Sequence, residues 1–173
     1  MSELTKSELQ TLPLLPLKNS VLFPGLLMPL SVGRPASLKA VEAAMVSEDK
    51  EIIVVTQREV SDESPGGAGL YTIGTRAVIR TVARPRSSHI DVLVFGVERV
   101  VIVKVEETEG YLAARVRTLP PPDDSSRETE ALTLSIIEMG TKFAGLIQTP
   151  QGSPQDLASM FTSHEDPLRL AYM

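Results

Sequence analysis

The chain has 173 residues, of which 42% are apolar and 23% charged, enough for one ordinary domain or two small ones around a buried core. It contains no Cys, no Trp and two His, His89 and His164, which excludes disulfides, thiolate metal sites, iron–sulfur clusters and cysteine nucleophiles and leaves little for a histidine-built metal centre. The net charge of −5 argues against nucleic acid as a partner, because phosphate neutralisation supplies most of that affinity.

The imbalance is local. Residues 1–118 carry 14 basic and 14 acidic side chains, and residues 119–173 carry 3 and 8. No run of eighteen apolar residues exists, so no transmembrane helix and no membrane partner are expected. Residues 1–11 are polar, lack the apolar stretch of a signal peptide, and are expected to form a flexible N-terminus. A cytoplasmic setting follows as an expectation.

Residues 12–17, Leu-Pro-Leu-Leu-Pro-Leu, are apolar but interrupted by Pro13 and Pro16, a pattern suited to an edge strand. Residues 21–25 read as a turn with exposed apolar corners, followed by a strand over 26–32. Gly33, Arg34 and Pro35 then open a helix, with Pro35 preset for the first helical position and Leu38, Val41, Ala44 and Met45 at helical spacing. Residues 51–57 are β-branched and predict a buried strand.

Residues 61–69 carry the Gly, Pro, Ser and Asp of a loop. Strands are predicted over 70–84, 90–95, 99–106 and 111–117, each rich in Val, Ile or Thr and bounded by turn residues. Six or so strands with one helix predict a small, antiparallel, partly closed barrel over residues 12–118.

Three prolines make 119–125 a stiff connector. Residues 126–173 read as a small α-helical subdomain, so the chain as a whole is α+β. Ser125 and Glu128 have capping-box spacing, and Leu132, Ile136, Met139, Phe143, Leu146 and Ile147 form one apolar stripe. Ser153-Pro154 starts a second helix, leading into Met160 and Phe161, and Asp166-Pro167 starts a third. The third reaches Met173 without a stop signal and is expected to be the beginning of a longer helix.

Catalytic motifs are absent or incomplete. Gly66, Gly67 and Gly69 precede a strand, whereas a dinucleotide fingerprint opens a helix. Gly140-Thr141-Lys142 lacks the first glycine of a Walker A loop, since residue 135 is Ser135. Ser88, His89 and Asp91 are neighbours on a hairpin and point to different faces. His164-Glu165 has no second His at residue 168.

Glu106, Glu107 and Glu109 surround a turn and suggest at most a hydrolase carboxylate cluster, with solvated acids as the plainer reading. Arg76, Arg80, Arg84 and Arg86 lie without an acid between them, and the first three share strand parity. An RNA platform would interleave aromatics there, and none does. A solvated face pairing with Asp91 or Glu98 is the plainer reading. No residue is assigned to catalysis, metal or cofactor. Apolar residues offered near the surface are the remaining candidates, and Met tolerates varied partners.

Several stretches carry a family resemblance. Residues 12–25 (Leu-Pro-Leu-Leu-Pro-Leu-Lys-Asn-Ser-Val-Leu-Phe-Pro-Gly), 28–34 (Met-Pro-Leu-Ser-Val-Gly-Arg), 70–75 (Leu-Tyr-Thr-Ile-Gly-Thr), 92–99 (Val-Leu-Val-Phe-Gly-Val-Glu-Arg) and 166–171 (Asp-Pro-Leu-Arg-Leu-Ala) resemble, in order, the N-terminal domain of the ATP-dependent Lon (La) protease family. Pro35-Ala36 departs from the charged pair that many relatives carry there.

The resemblance implies a PUA-like β pseudo-barrel followed by helices. It also implies a non-catalytic module that recognises unfolded or damaged protein substrates and supports assembly of a homohexamer. ATP, Mg and the Ser–Lys peptidase belong, in that family, to downstream domains. On this reading Leu22, Phe23, Pro24, Met28, Met139 and Phe143 are the expected substrate contacts. A stand-alone Lon-domain binding protein and a PUA-like RNA-binding module are the alternatives.

Overall fold

The computed structural model describes residues 9–84, 88–122, 126–146, 159 and 166–172. The chain divides into two compact units, Met1–Pro121 and Pro122–Met173.

The first unit runs β1 (Gln10–Leu17), β2 (Leu27–Val32), α1 (Pro35–Val46), β3 (Glu51–Thr56), a 3-10 turn (Gly67–Gly69), β4 (Ile73–Ala83), β5 (Ile90–Thr108) and β6 (Tyr111–Thr118). The strands form one sheet in the order β2-β5-β4-β3-β1-β6, and β6 also pairs with β5. Five strands therefore close into a ring, without the regularity of a true barrel, and β2 lies outside it on β5.

Three features differ from the sequence expectations. First, β1 is not an edge strand. It pairs with β3 through Leu14–Leu17 and with β6 through Gln10–Leu14, so the two partners overlap only at Leu14. Each proline thus faces one neighbouring strand, and its missing N–H is tolerated. Second, the β1–β3 pairing is parallel, because β2 and α1 together make the long crossover that parallel neighbours need. Third, the two strands expected over 90–95 and 99–106 are one strand of nineteen residues. Its first half pairs with β2 and its last half with β6, and irregularities in register at Arg76/Ala77, Ile79/Thr81 and Ile102/Lys104 bend the ladders.

Alternation along the strands builds two apolar clusters. Leu15, Leu17, Ile52, Val54, Ala77, Ile79, Val92 and Val94 pack with Ala40, Val41 and Ala44 of α1. Leu14, Ile53, Val55, Val100, Ala114 and Val116 pack with Leu70. Neighbouring residues of β1 and β3 go to opposite clusters, as period two requires. These strands are buried on both faces, which explains their unbroken apolar runs. Helix α1 starts with Pro35 at its first position, as its sequence predicts.

In the second unit α2 spans Arg127–Leu146 and α3 spans Pro167–Tyr172. Ser125 lies outside the described residues. The observed cap is Ser126, whose Oγ accepts the Thr129 N–H at 3.2 Å. Asp166 caps α3 by accepting the Leu168 N–H at 2.9 Å. The apolar stripe of α2 does not become core. Thr133, Ile136, Ile137 and Gly140 are half-buried and Ala144 is buried, whereas Leu132, Met139, Phe143 and Leu146 stay exposed. Ile147, Ser153, Pro154, Met160, Phe161 and His164 lie outside the described residues.

Candidate functional site

The residues between β1 and β2 form a loop pinned at three points. The Thr56 hydroxyl donates to the Ser20 carbonyl at 2.6 Å, and the Thr75 hydroxyl donates to the Leu22 carbonyl at 2.6 Å. Gly96 supplies the third. Its carbonyl accepts the Gly25 N–H at 2.8 Å, and its own N–H donates to the Leu26 carbonyl at 2.9 Å. A Cβ at residue 96 would stand 2.3 Å from the Phe23 carbonyl oxygen, so only glycine lets the loop lie against β5. Gly25 turns the chain with φ of 81°.

Fixed in this way, the loop directs Leu22 inward and its neighbours outward. Leu22 is 3% exposed and belongs to the larger core cluster, so it offers no surface to a partner. Val21 and Phe23 are exposed. Pro24 and Met28 are half-buried, and Met28 packs against the core.

Beside them the structure brings Val60, Tyr71 and Ile73, all about half exposed. Val21, Val60, Tyr71 and Ile73 line an open cleft of about 580 Å³, and Val21, Phe23 and Ile73 line a small crevice of about 70 Å³. Val60, Tyr71 and Ile73 are exposed apolar neighbours that the sequence reading did not single out. Period two gives strand parity but not which loop reaches the outward face.

The rim is basic and polar. Lys18 and Arg58 border the cleft, and Arg99 borders the crevice. The Arg58 guanidinium lies 4.7 Å from the Tyr71 ring centroid and donates to the Leu70 carbonyl at 3.0 Å. Gln57, 1% exposed, ties the floor together: its Nε2 donates to the Glu59 and Asp62 carbonyls, and its Oε1 accepts from Arg34. The floor and rim of the cleft are thus held in place by hydrogen bonds.

Met139 and Phe143 sit in the second unit, one turn apart on the exposed face of α2. With Leu132 and Leu146 they make a second apolar surface.

The competing clusters are accounted for. Arg76 pairs with Glu98 at 2.8 Å, as the sequence suggests, and also with Glu51 at 2.5 Å. Arg80 stacks on Phe95 at 5.2 Å, and Arg84 pairs with Glu42 rather than Asp91. Arg86 lies outside the described residues. The Glu106 carboxyl is held below its ordinary pKa by its hydrogen bond to Lys104, the reverse of what a general acid needs. Among the described residues no three His, Asp or Glu converge on a possible metal site, and no helix is long and apolar enough to cross a membrane.

Comparison with known proteins gives a consistent family. The model of the ATP-dependent protease La (LON) substrate-binding domain matches residues 11–173. The chain is 42% identical over 136 residues to the Lon protease of Nitrosococcus oceani, covering 79% of this chain and 18% of that protein. It is 34% identical over 166 residues to the Lon protease of Escherichia coli, covering 96% and 21%.

Two solved structures share the fold. They are the N-terminal domain of the Mycobacterium avium complex Lon protease (TM-score 0.73, 20% identity, 94% of this chain and 80% of that one) and the Lon N-terminal domain protein of Xanthomonas campestris (TM-score 0.56, 21% identity, 94% and 95%). The chain spans about a fifth of the length of the curated relatives it matches.

Proposed function

The chain belongs to the ATP-dependent protease La (LON) substrate-binding domain family, and from that premise we propose that its apolar patch captures exposed apolar segments of unfolded or damaged proteins. The observation that carries this reading is the pinned display of Val21 and Phe23 beside Val60, Tyr71 and Ile73. A soluble fold ordinarily hides such a contiguous group, and leaving it exposed marks a contact surface. The exposed face of α2, with Met139 and Phe143, is a second contact surface in this proposal.

Both surfaces are mainly apolar, so recognition rests on apolar burial and tolerates varied clients. Each contact is weak. In a homohexamer, six copies raise the effective concentration of sites, and modest single-site affinity suffices. ATP hydrolysis and peptide cleavage are assigned to the parts of the longer relatives that this chain does not match. The setting proposed is the cytoplasm.

The test is binding of a fluorescent, permanently unfolded client. Phe23→Ser and Ile73→Ser together should weaken binding several-fold with the thermal midpoint little changed. Unchanged affinity in that double variant would show the patch to be idle.

A further inference from the structure

The apolar patch has a charge pattern of its own. The charged residues lining its open cleft are Lys18 and Arg58, and the one lining its crevice is Arg99. Among the described residues, no Asp or Glu lines either. Residues 1–118 carry as many acidic as basic side chains, so composition alone does not account for an all-cation lining.

The acids nearby in sequence are engaged elsewhere. Glu63 pairs with Lys18 at 2.5 Å and lines a different cleft. An Asp62 carboxylate oxygen accepts the Ser64 N–H at 2.9 Å. Glu98 pairs with Arg76 at 2.8 Å and accepts from the Thr118 hydroxyl at 2.9 Å. Among the described residues, Arg58 and Arg99 belong to no ion pair. Two uncompensated cations thus border an apolar surface.

Their places along the sheet are set. The Arg58 guanidinium lies over the Tyr71 ring and spends only its Nε–H on the Leu70 carbonyl, which leaves the four N–H groups of its outer nitrogens. Arg99 is half-buried and stands opposite Thr75 in the β4–β5 ladder, where Ile73 stands opposite Val101. Tyr71, Ile73 and Thr75 follow one another in steps of two residues. Arg58 and Arg99 therefore flank Ile73 at levels four residues apart, roughly 13 Å of extended chain.

We propose that the patch prefers extended client segments in which an apolar residue is bracketed by two carboxylates, each two positions away. In an extended segment those three side chains point to one face. The central one rests on Phe23 and Ile73, and the outer two meet Arg58 and Arg99. This rests on the client-capture reading of the patch and names the client class. Apolar burial supplies the affinity, and the charges select and align the segment.

The experiment uses the whole chain and a fluorescent ten-residue peptide, capped at both ends, with a central Phe and Glu two positions to either side. Three relatives carry Gln at both positions, Lys at both, or the two Glu side by side at one end. The bracketed Glu peptide should bind about fourfold more tightly than the Gln peptide, roughly twofold for each exposed ion pair. The side-by-side peptide should gain about half of that factor, and the Lys peptide should bind more weakly than the Gln one. High salt should shrink the preference. In a variant with Arg58→Gln and Arg99→Gln, the bracketed Glu and Gln peptides should bind equally.

Equal binding of the Glu and Gln peptides to the unaltered protein would overturn the acidic preference and leave the apolar patch standing. A preference that persists in the double variant would overturn the assignment to Arg58 and Arg99. Failure of every peptide to bind would overturn the patch itself.

Discussion

At the scale of single residues, the loop before β2 is held by contacts that leave little room. With its Cβ 2.3 Å from the Phe23 carbonyl, alanine at residue 96 must push the loop off β5. Gly96→Ala is expected to destabilise the protein by about 2 kcal/mol, read as a lower urea midpoint. It should also disturb the Val21 and Phe23 amide resonances. Leu22 and Phe23 are neighbours with opposite roles. Leu22→Ala should cost about 3 kcal/mol of stability by opening a cavity, whereas Phe23→Ser should cost little stability and lower client affinity.

Glu63 gives a prediction in pH. Its carboxyl is held below the ordinary glutamate range first by the hydrogen bond to Lys18 and then by that lysine's charge. A depressed folded pKa means that the pair's contribution is present above the unfolded carboxyl's pKa. It is lost as pH falls through the folded value. An NMR titration of Glu63 should show a midpoint below that of a model peptide, and Lys18→Gln should raise it.

The turn at residues 21–25 was legible from Pro24, Gly25 and the apolar residues around them.

Among the elements, α1 and β6 are legible from the spacing of their apolar residues, and β3 from its short β-branched run. Strand β1 is misread as an edge because a proline signals only that one hydrogen-bonding side is unused. That condition is also met by staggered partners on the two sides. The joining of two expected strands into β5 escapes notice because Gly96 normally marks a break, and here it marks a close approach.

Helix α2 has the clearest amphipathic pattern in the chain, yet Leu132, Met139, Phe143 and Leu146 of its apolar stripe are exposed, and its more buried face is the one with Thr133, Ile137, Gly140 and Ala144. Periodicity shows that a face is apolar, not what covers it. Met139→Ser with Phe143→Ser should therefore leave thermal stability within about 0.5 kcal/mol. Ala144→Leu, at a buried position, should cost about 1–3 kcal/mol. Thermal melts of the two variants distinguish an exposed stripe from a core one.

Over the whole molecule, and among the described residues, both apolar clusters draw only on the first unit. A chain ending after Pro121 is expected to fold alone and to unfold in a single cooperative transition, measured by circular dichroism. The chain matches the substrate-binding domain family over residues 11–173. Its acidic charge lies in the second part, and the β-rich part is balanced.

The resemblance carried by residues 12–25, 28–34, 70–75, 92–99 and 166–171 made the family legible. Period and composition alone led only to a small, partly closed β barrel with helices after it. The surface proposed for client contact was only partly foreseen. Phe23 stood out within its motif, while Val60, Tyr71 and Ile73 join it only through the folding of the ring.

The central claim is that client capture occurs on that patch, and the most direct measurement is crosslinking. A permanently unfolded protein carrying a photoreactive group is mixed with the chain, and the crosslinked positions are mapped. Crosslinks concentrated at residues 21–23, 60 and 71–73, and lost in the Phe23→Ser and Ile73→Ser double variant, are the expected result. Crosslinks that avoid those positions, or that persist undiminished in the double variant, would contradict it.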